Sequence, residues 1–205
     1  MTKTSLLDKD YFVAPERFEA EGFSLRCYRL DDGPALQEAT LESYELLKPW
    51  MPWATQDQTP AEAERLVREF RGRWLLATDF TLAVVGPDDS TILGGTGFHL
   101  RGKGFGTRSG EIGMWIRASA AGQGLGTRVL EAMLAWSFSE AWPWTRVTWH
   151  CDSRNMGSKR VAEKCGLRLE ATLRRDTLGV DKSPRDTLIF GLLKEEYRGD
   201  SGNAS

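Results

Sequence analysis

The sequence predicts a single mixed α/β domain, not an alternating doubly wound one. Three observations point there. Apolar spacing switches between strand-like and helix-like periods, in the order strand, two helices, three strands, helix, strand, helix and two strands. The three consecutive strand-like runs are joined by short turns and loops, which makes them an antiparallel run. The chain has 205 residues, 40% hydrophobic and 27% charged, which suits one soluble domain with a self-sufficient core.

"GFSLRCYRL" (22–30) alternates and reads as the first strand, and "GPALQEATLESYELL" (33–47) as a helix. "KPWMPWATQDQ" (48–58) holds two prolines and two tryptophans, a loop with apolar anchors. Thr59 is the cap, Pro60 the first turn and Glu62 the capping-box partner of a helix expected to reach about Ala77. "FTLAVVG" (80–86) and "TILGGTGFHL" (91–100) make a hairpin about the turn "PDDS", and "GEIGMWIRA" (110–118) is a further strand. Between them, "RGKGFGTRSG" (101–110) places four glycines among basic residues and reads as a mobile loop, a possible substrate gate. "LGTRVLEAMLAWSFSE" (125–140) is a long helix, "RVTWHCD" (146–152) a strand, and "NMGSKRVAEKCG" (155–166) a short helix ended by Gly166. "LRLEATLRRD" (167–176) and "RDTLIFGLLKEEY" (185–197) close a set of seven strands and four helices. The domain is expected over 1–198, with 199–205 a disordered polar tail.

Composition narrows the function classes. A net charge of −2 disfavours a basic nucleic-acid-binding surface. Cys27, Cys151 and Cys165 form no CxxC pair and read as reduced thiols of a cytoplasmic protein. The start, "MTKTSLLDKDYF", lacks an apolar run of signal-peptide type, and no later stretch approaches membrane-spanning length. Most of the eight tryptophans are expected in the core, though so many also suit an apolar cleft or a subunit interface.

"SAAGQGLGTRVLEAML" (119–134) carries the chemistry. A nucleoside-triphosphate loop needs G-x-x-x-x-G-K-[ST], but Thr127 and Arg128 follow Gly126. In the dinucleotide fingerprint Gly124 and Gly126 fit two positions, yet Val129 takes the third, and too little chain follows for the remaining βαβ units. Two readings remain: a plain strand-to-helix turn, or a cradle whose backbone N–H groups from Gly122 to Thr127 receive a pyrophosphate at a helix N-terminus.

"GEIGMWI", "AAGQGLGTRVL" and "NMGSKRVAEKCGL" together resemble the GNAT superfamily of acyl-CoA N-acyltransferases. The branch of the ribosomal-protein acetyltransferases RimJ and RimL is the nearest, and "LLKPWMPWA" (46–54) is similar to its first-loop signature. The resemblance covers roughly residues 20 to 195 and implies a mixed, mostly antiparallel, twisted sheet, splayed at the cofactor site between "EIGMWI" and "RVTWHC". It implies transfer of an acetyl group from acetyl-CoA to a protein N-terminus or a small amine by direct attack in a ternary complex, with no metal. A non-catalytic acyl-CoA-binding module on the same fold is the alternative. It further implies a homodimer; the charge balance and the absence of a long apolar stretch leave neither nucleic acid nor membrane as an expected partner.

The resemblance also assigns residues. Met114, Trp115 and Ile116 would line the pantetheine arm, and Gly122, Gln123, Gly124, Leu125, Gly126 and Thr127 the pyrophosphate. Ala121 stands where the family usually has Gln or Arg, which removes one side-chain contact. Asn155 and Ser158 match the family's N-x-x-S. Asn155 is equally suited to cap its helix, and Ser158 either faces the departing thiolate or is a plain helix-surface serine. Ala162 replaces the tyrosine acid of many members, which raises the stake on Ser158 or on water. Glu111 is the candidate base, or an ordinary polar residue at a strand end, and Asp176 is the alternative base. His99 and His150 have neither metal-ligand spacing nor a nucleophile partner and are expected in the core or on a strand surface.

Overall fold

The structure is a computed structural model and describes residues 12–102 and 104–199. The tail expected over 199–205 therefore lies, from residue 200 on, outside the described residues.

Among the described residues, eight strands form one sheet: β1 (Arg17–Ala20), β2 (Phe23–Cys27), β3 (Phe80–Val85), β4 (Ile92–His99), β5 (Ser109–Ile116), β6 (Arg146–Asp152), β7 (Arg168–Leu178) and β8 (Pro184–Leu193). Their spatial order is β1-β2-β3-β4-β5-β6-β8-β7, and every neighbouring pair is antiparallel except β5 with β6. The helices are α1 (Gly33–Glu42), α2 (Tyr44–Leu47), α3 (Pro60–Leu75), α4 (Leu125–Ser137) and α5 (Met156–Lys164).

Two differences from the sequence reading have local causes. "RFEA" folds back on "FSLR" as a short hairpin, adding a strand ahead of the seven expected. The helix expected over 33–47 breaks at Ser43, whose hydroxyl donates to Ala39 O at 2.6 Å and accepts from the Ala118 N–H at 2.9 Å. A helical serine bonded back to its own helix and to another segment favours such a break. The predicted capping box of α3 is present: Thr59 Oγ1 accepts from Glu62 N at 3.3 Å, and Glu62 Oε2 accepts from Thr59 N at 2.8 Å.

The two faces of the sheet are covered differently. α1 and α3 pack over Tyr28, Ala83, Val85 and Ile92. α4 and α5 cover the larger core of Leu25, Leu82, Val84, Phe98, Ile112 and Val147. An aromatic cluster of Phe12, Phe80, Phe98, Phe105, Trp142 and Trp144 fills that core, with Trp142 and Trp144 stacked at 5.7 Å between ring centres. Phe105 belongs to the 101–110 loop and is buried, so this loop is anchored at its middle, unlike the mobile gate expected.

Candidate active site

β5 and β6 pair only at Ser109–Arg146, Gly110–Val147 and Glu111–Thr148. Past Glu111 they part. β5 stays with β4 as far as Ile116, and β6 stays with β8 as far as Asp152. The result is a fork whose inner edges carry backbone groups that the sheet leaves unpaired, at the splay the family resemblance implied.

The glycine turn stands at the open end of the fork. Gly122 and Gly124 have φ of +75° and +80°, where a Cβ costs about 1–2 kcal/mol. Gly124 begins α4 without a side-chain cap. The N–H groups of Gly122, Gln123, Gly124, Leu125 and Gly126 have no acceptor among the described residues. Thr127 departs from the expectation, because its N–H donates to Gly124 O at 3.1 Å. The Gln123 side chain also turns inward, donating from Nε2 to Ser119 O at 3.0 Å. The Leu125 side chain is buried in the core, so only its backbone faces the turn. A Cβ on Gly126 would lie 3.7–3.9 Å from Ile116 Cγ1, Val161 Cγ2 and Met114 Sδ. Hence Met114, Ile116 and Gly126 converge between β5 and α5. Trp115 points to the other face, its indole against Gly95 and near Trp53.

α5 frames the far side of the fork. Asn155 caps it, Oδ1 accepting from Ser158 N at 3.0 Å. Ser158 Oγ accepts from Trp149 Nε1 at 2.9 Å. Burial pushes the neighbouring Cys151 thiol up, and its hydrogen bond with Ser158 offsets this in part.

The face under α1 and α3 is chemically distinct. Glu111, Gly113 and Trp115 of β5 face the same side as Gly95, Gly97 and His99 of β4, by pleat alternation and register. Glu111 Oε1 accepts from Arg101 Nε and Nη2 at 3.0 and 2.8 Å, and its Oε2 lies 3.3 Å from His150 Nδ1. Asp79 meets His99 Nδ1 with both oxygens, at 2.8 and 3.1 Å. Asp176 is not brought to this cluster. It lies on β7, beyond β8, and its Oδ1 accepts from Thr187 Oγ1 at 2.8 Å.

The two histidines are what the sequence reading missed. Phe80 pairs with Phe98 in the β3–β4 hairpin, so Asp79 and His99, one residue further out on each arm, meet. Counting outward from the hairpin's turn would set Phe98 opposite Asp79; the bulge between Val84 and Val85 shifts the register by one and brings His99 there instead, and neither this nor the approach of His150 to Glu111 across the fork was readable in the sequence. Among the described residues no group of three or more His, Cys, Asp or Glu is placed to hold a metal ion, and no helix is long and apolar enough to cross a membrane.

Residues 23–168 match the acetyltransferase (GNAT) domain family. The chain is 24% identical over 184 residues to YdaF of Bacillus subtilis, provisionally a ribosomal N-acetyltransferase, covering 88% of this chain and 96% of that protein. Among solved structures it resembles RimL, the ribosomal L7/L12 alpha-N-protein acetyltransferase in complex with coenzyme A. There the TM-score is 0.77 at 17% identity, over 87% of this chain and 98% of that one. Mycobacterium smegmatis RimJ in complex with CoA-disulfide gives 0.75 at 25% identity, over 85% of this chain and 83% of that one. With most of its length matched and the forked, mostly antiparallel sheet in place, the chain belongs to the GNAT acetyltransferase family.

Proposed function

We propose that the protein transfers an acetyl group from acetyl-CoA to a primary amine, by direct attack with both substrates bound. The observation that carries this reading is the fork between β5 and β6, opening onto a helix N-terminus with five backbone N–H groups that have no acceptor among the described residues. A pyrophosphate suits that turn in charge and in hydrogen bonding, and an extended pantetheine arm suits the bare inner edge of β5. Acetyl-CoA supplies a thioester whose acyl carbon is open to attack.

In this reading Gly122 to Gly126 hold the diphosphate with their N–H groups, Met114 and Ile116 flank the arm, and Asn155 orients the start of α5. Ser158, an acceptor for Trp149 and hydrogen-bonded to Cys151, would turn its hydroxyl proton from the Cys151 sulfur to the leaving sulfur. The amine approaches the opposite face. There Glu111 draws it in as its cation, and proton loss to Glu111 or to a neighbour on that face frees it for attack. Asp176, further out on β7, is the alternative base. Protein N-termini are the first amines to test, because ribosomal proteins are the named targets of the relatives. The reading includes a cytoplasmic location and a homodimer; a monomer by light scattering at micromolar concentration counts against the latter.

The deciding experiment pairs thermal stabilisation with a turnover screen of N-terminal peptides, amino acids, polyamines and aminoglycosides. CoA and acetyl-CoA are expected to raise the Tm while NAD and ATP do not, and at least one amine is acetylated. Stabilisation by CoA with no acetylation of any amine favours the binding-module alternative. No stabilisation by CoA defeats both.

A further inference from the structure

We infer that the Asp79–His99 pair is the proton acceptor of this site, His99 Nε2 taking the proton of the incoming amine while Asp79 holds the ring. The inference rests on the acetyl-transfer reading and adds to it a group that the sequence left in the core or on a strand surface.

Four observations carry it. First, an ionised carboxylate only accepts hydrogen bonds, so the 2.8 and 3.1 Å contacts with Asp79 place the neutral ring's proton on Nδ1 and its lone pair on Nε2. Burial works to raise the Asp79 carboxyl, but His99, the Thr81 hydroxyl and the Arg101 charge together outweigh it and hold Asp79 below the usual carboxylate range. Second, Nε2 has no partner among the described residues and lies against bare backbone. A Cβ on Gly113 would stand 3.0 Å from Nε2 and 3.1 Å from Cδ2. Gly113 therefore leaves room for the imidazole edge on β5, two residues from the point where the fork opens. Third, the rival carboxylate is engaged on both oxygens: Oε1 of Glu111 takes two donors from Arg101, and Oε2 faces His150. Fourth, an open cleft of about 330 Å³ lined by Arg73, Thr78, Asp79, His99 and Arg101 lies beside the pair, where the His99 side chain keeps 20% of its exposure.

The charged groups around His99 are Asp79 ahead of β3, Arg101 after β4, Arg73 from α3, and Glu111 opposite on β5. Asp79 stabilises the imidazolium that forms, and Glu111 attracts the ammonium before transfer. The N–H bond of the ammonium breaks, its electron pair stays on nitrogen, and the proton goes to Nε2. The neutral nitrogen then bonds to the acyl carbon, and the carbon–sulfur pair leaves with sulfur. Of the two protons the nitrogen gives up, one goes to the thiolate and one departs through His99.

The chain has only two histidines, so the test reads imidazole nitrogens directly. In long-range proton–nitrogen spectra of the ligand-free protein, assigned with His150→Gln, His99 is expected as the Nδ1–H tautomer. Asp79→Asn should disturb that pattern. In steady-state kinetics with the best amine, His99→Gln keeps an amide donor for Asp79 but has no base. It should lose about 100-fold in kcat at neutral pH, with KM for acetyl-CoA unchanged and the deficit shrinking as pH rises toward the amine's own pKa. An Nε2–H tautomer overturns the proposal. So does a folded His99→Gln variant within twofold of wild type, above all if Glu111→Gln is crippled. Wild type that acetylates no amine defeats the underlying reading, and this proposal falls with it; wild type that turns over while His99→Gln matches it defeats this proposal alone.

Discussion

Gly126→Ala separates cofactor binding from folding. The added Cβ has ordinary contacts of 3.7–3.9 Å with Ile116, Val161 and Met114, and Gly126 is not among the left-handed glycines. The fold therefore tolerates it, and alanine in place of glycine in a helix adds up to about 1 kcal/mol. At this chain length that is a Tm rise of roughly 2–4 °C. The same methyl stands between β5 and α5, where the proposed ligand must come close to the backbone of the turn. Losing one charge-assisted hydrogen bond to an N–H costs about 1.5–3 kcal/mol, or roughly 10- to 150-fold in Kd. Calorimetric titration with CoA, beside a thermal melt, reads both quantities. Gly124→Ala is the contrast: at φ +80° it should lower the Tm instead. A well-folded Gly126→Ala protein that binds CoA as tightly as wild type would refute the placement of the cofactor at this turn.

Other outcomes follow from particular side chains. Burial raises the thiols of Cys27 and Cys151 and pushes Cys165 up to about 12, so a thiol reagent at pH 8 should titrate none of the three in the native protein and all three after unfolding. The Arg154 hydrogen bond holds the buried Asp152 carboxyl below its ordinary value. A depressed carboxylate stabilises above its unfolded pKa, so Asp152→Asn should melt a few degrees below wild type at neutral pH, the gap closing as pH falls below about 4. Ser158→Ala should lower kcat by a factor that persists at high pH, where a missing base no longer matters; a defect that vanishes there would remove Ser158 from the leaving-group side.

The order of elements was legible because each carries its own signal. The Thr59–Glu62 box starts α3, and the "PDDS" turn sets the β3–β4 hairpin, both by local chemistry. The fork was implied by resemblance alone, since β5 and β6 look like any other apolar strands and their parting is decided by what lies on either side. The four-residue β1 was missed because it is too short to establish a period. The faces of the site were half legible. Alternation separates Met114 and Ile116 from Trp115, but the meeting of Glu111 with Arg101 and His150 depends on loop path and on sheet order. The tie between Thr127 and Gly124 was hidden for a simpler reason, because glycine identities do not say which N–H a turn consumes.

The parting of β5 from β6 also divides the molecule mechanically. Among the described residues, five strands lie on one side and three on the other, joined within the sheet by three rungs, with one hydrophobic core spanning both. A ligand lodged in the parting touches both half-sheets, so its binding energy becomes cohesion between them, about 2.7 kcal/mol when present at a hundred times its Kd. A chain severed between Ala118 and Ala121 would then reassemble from its two fragments more tightly with CoA present than without, the small molecule serving as a clasp across the seam.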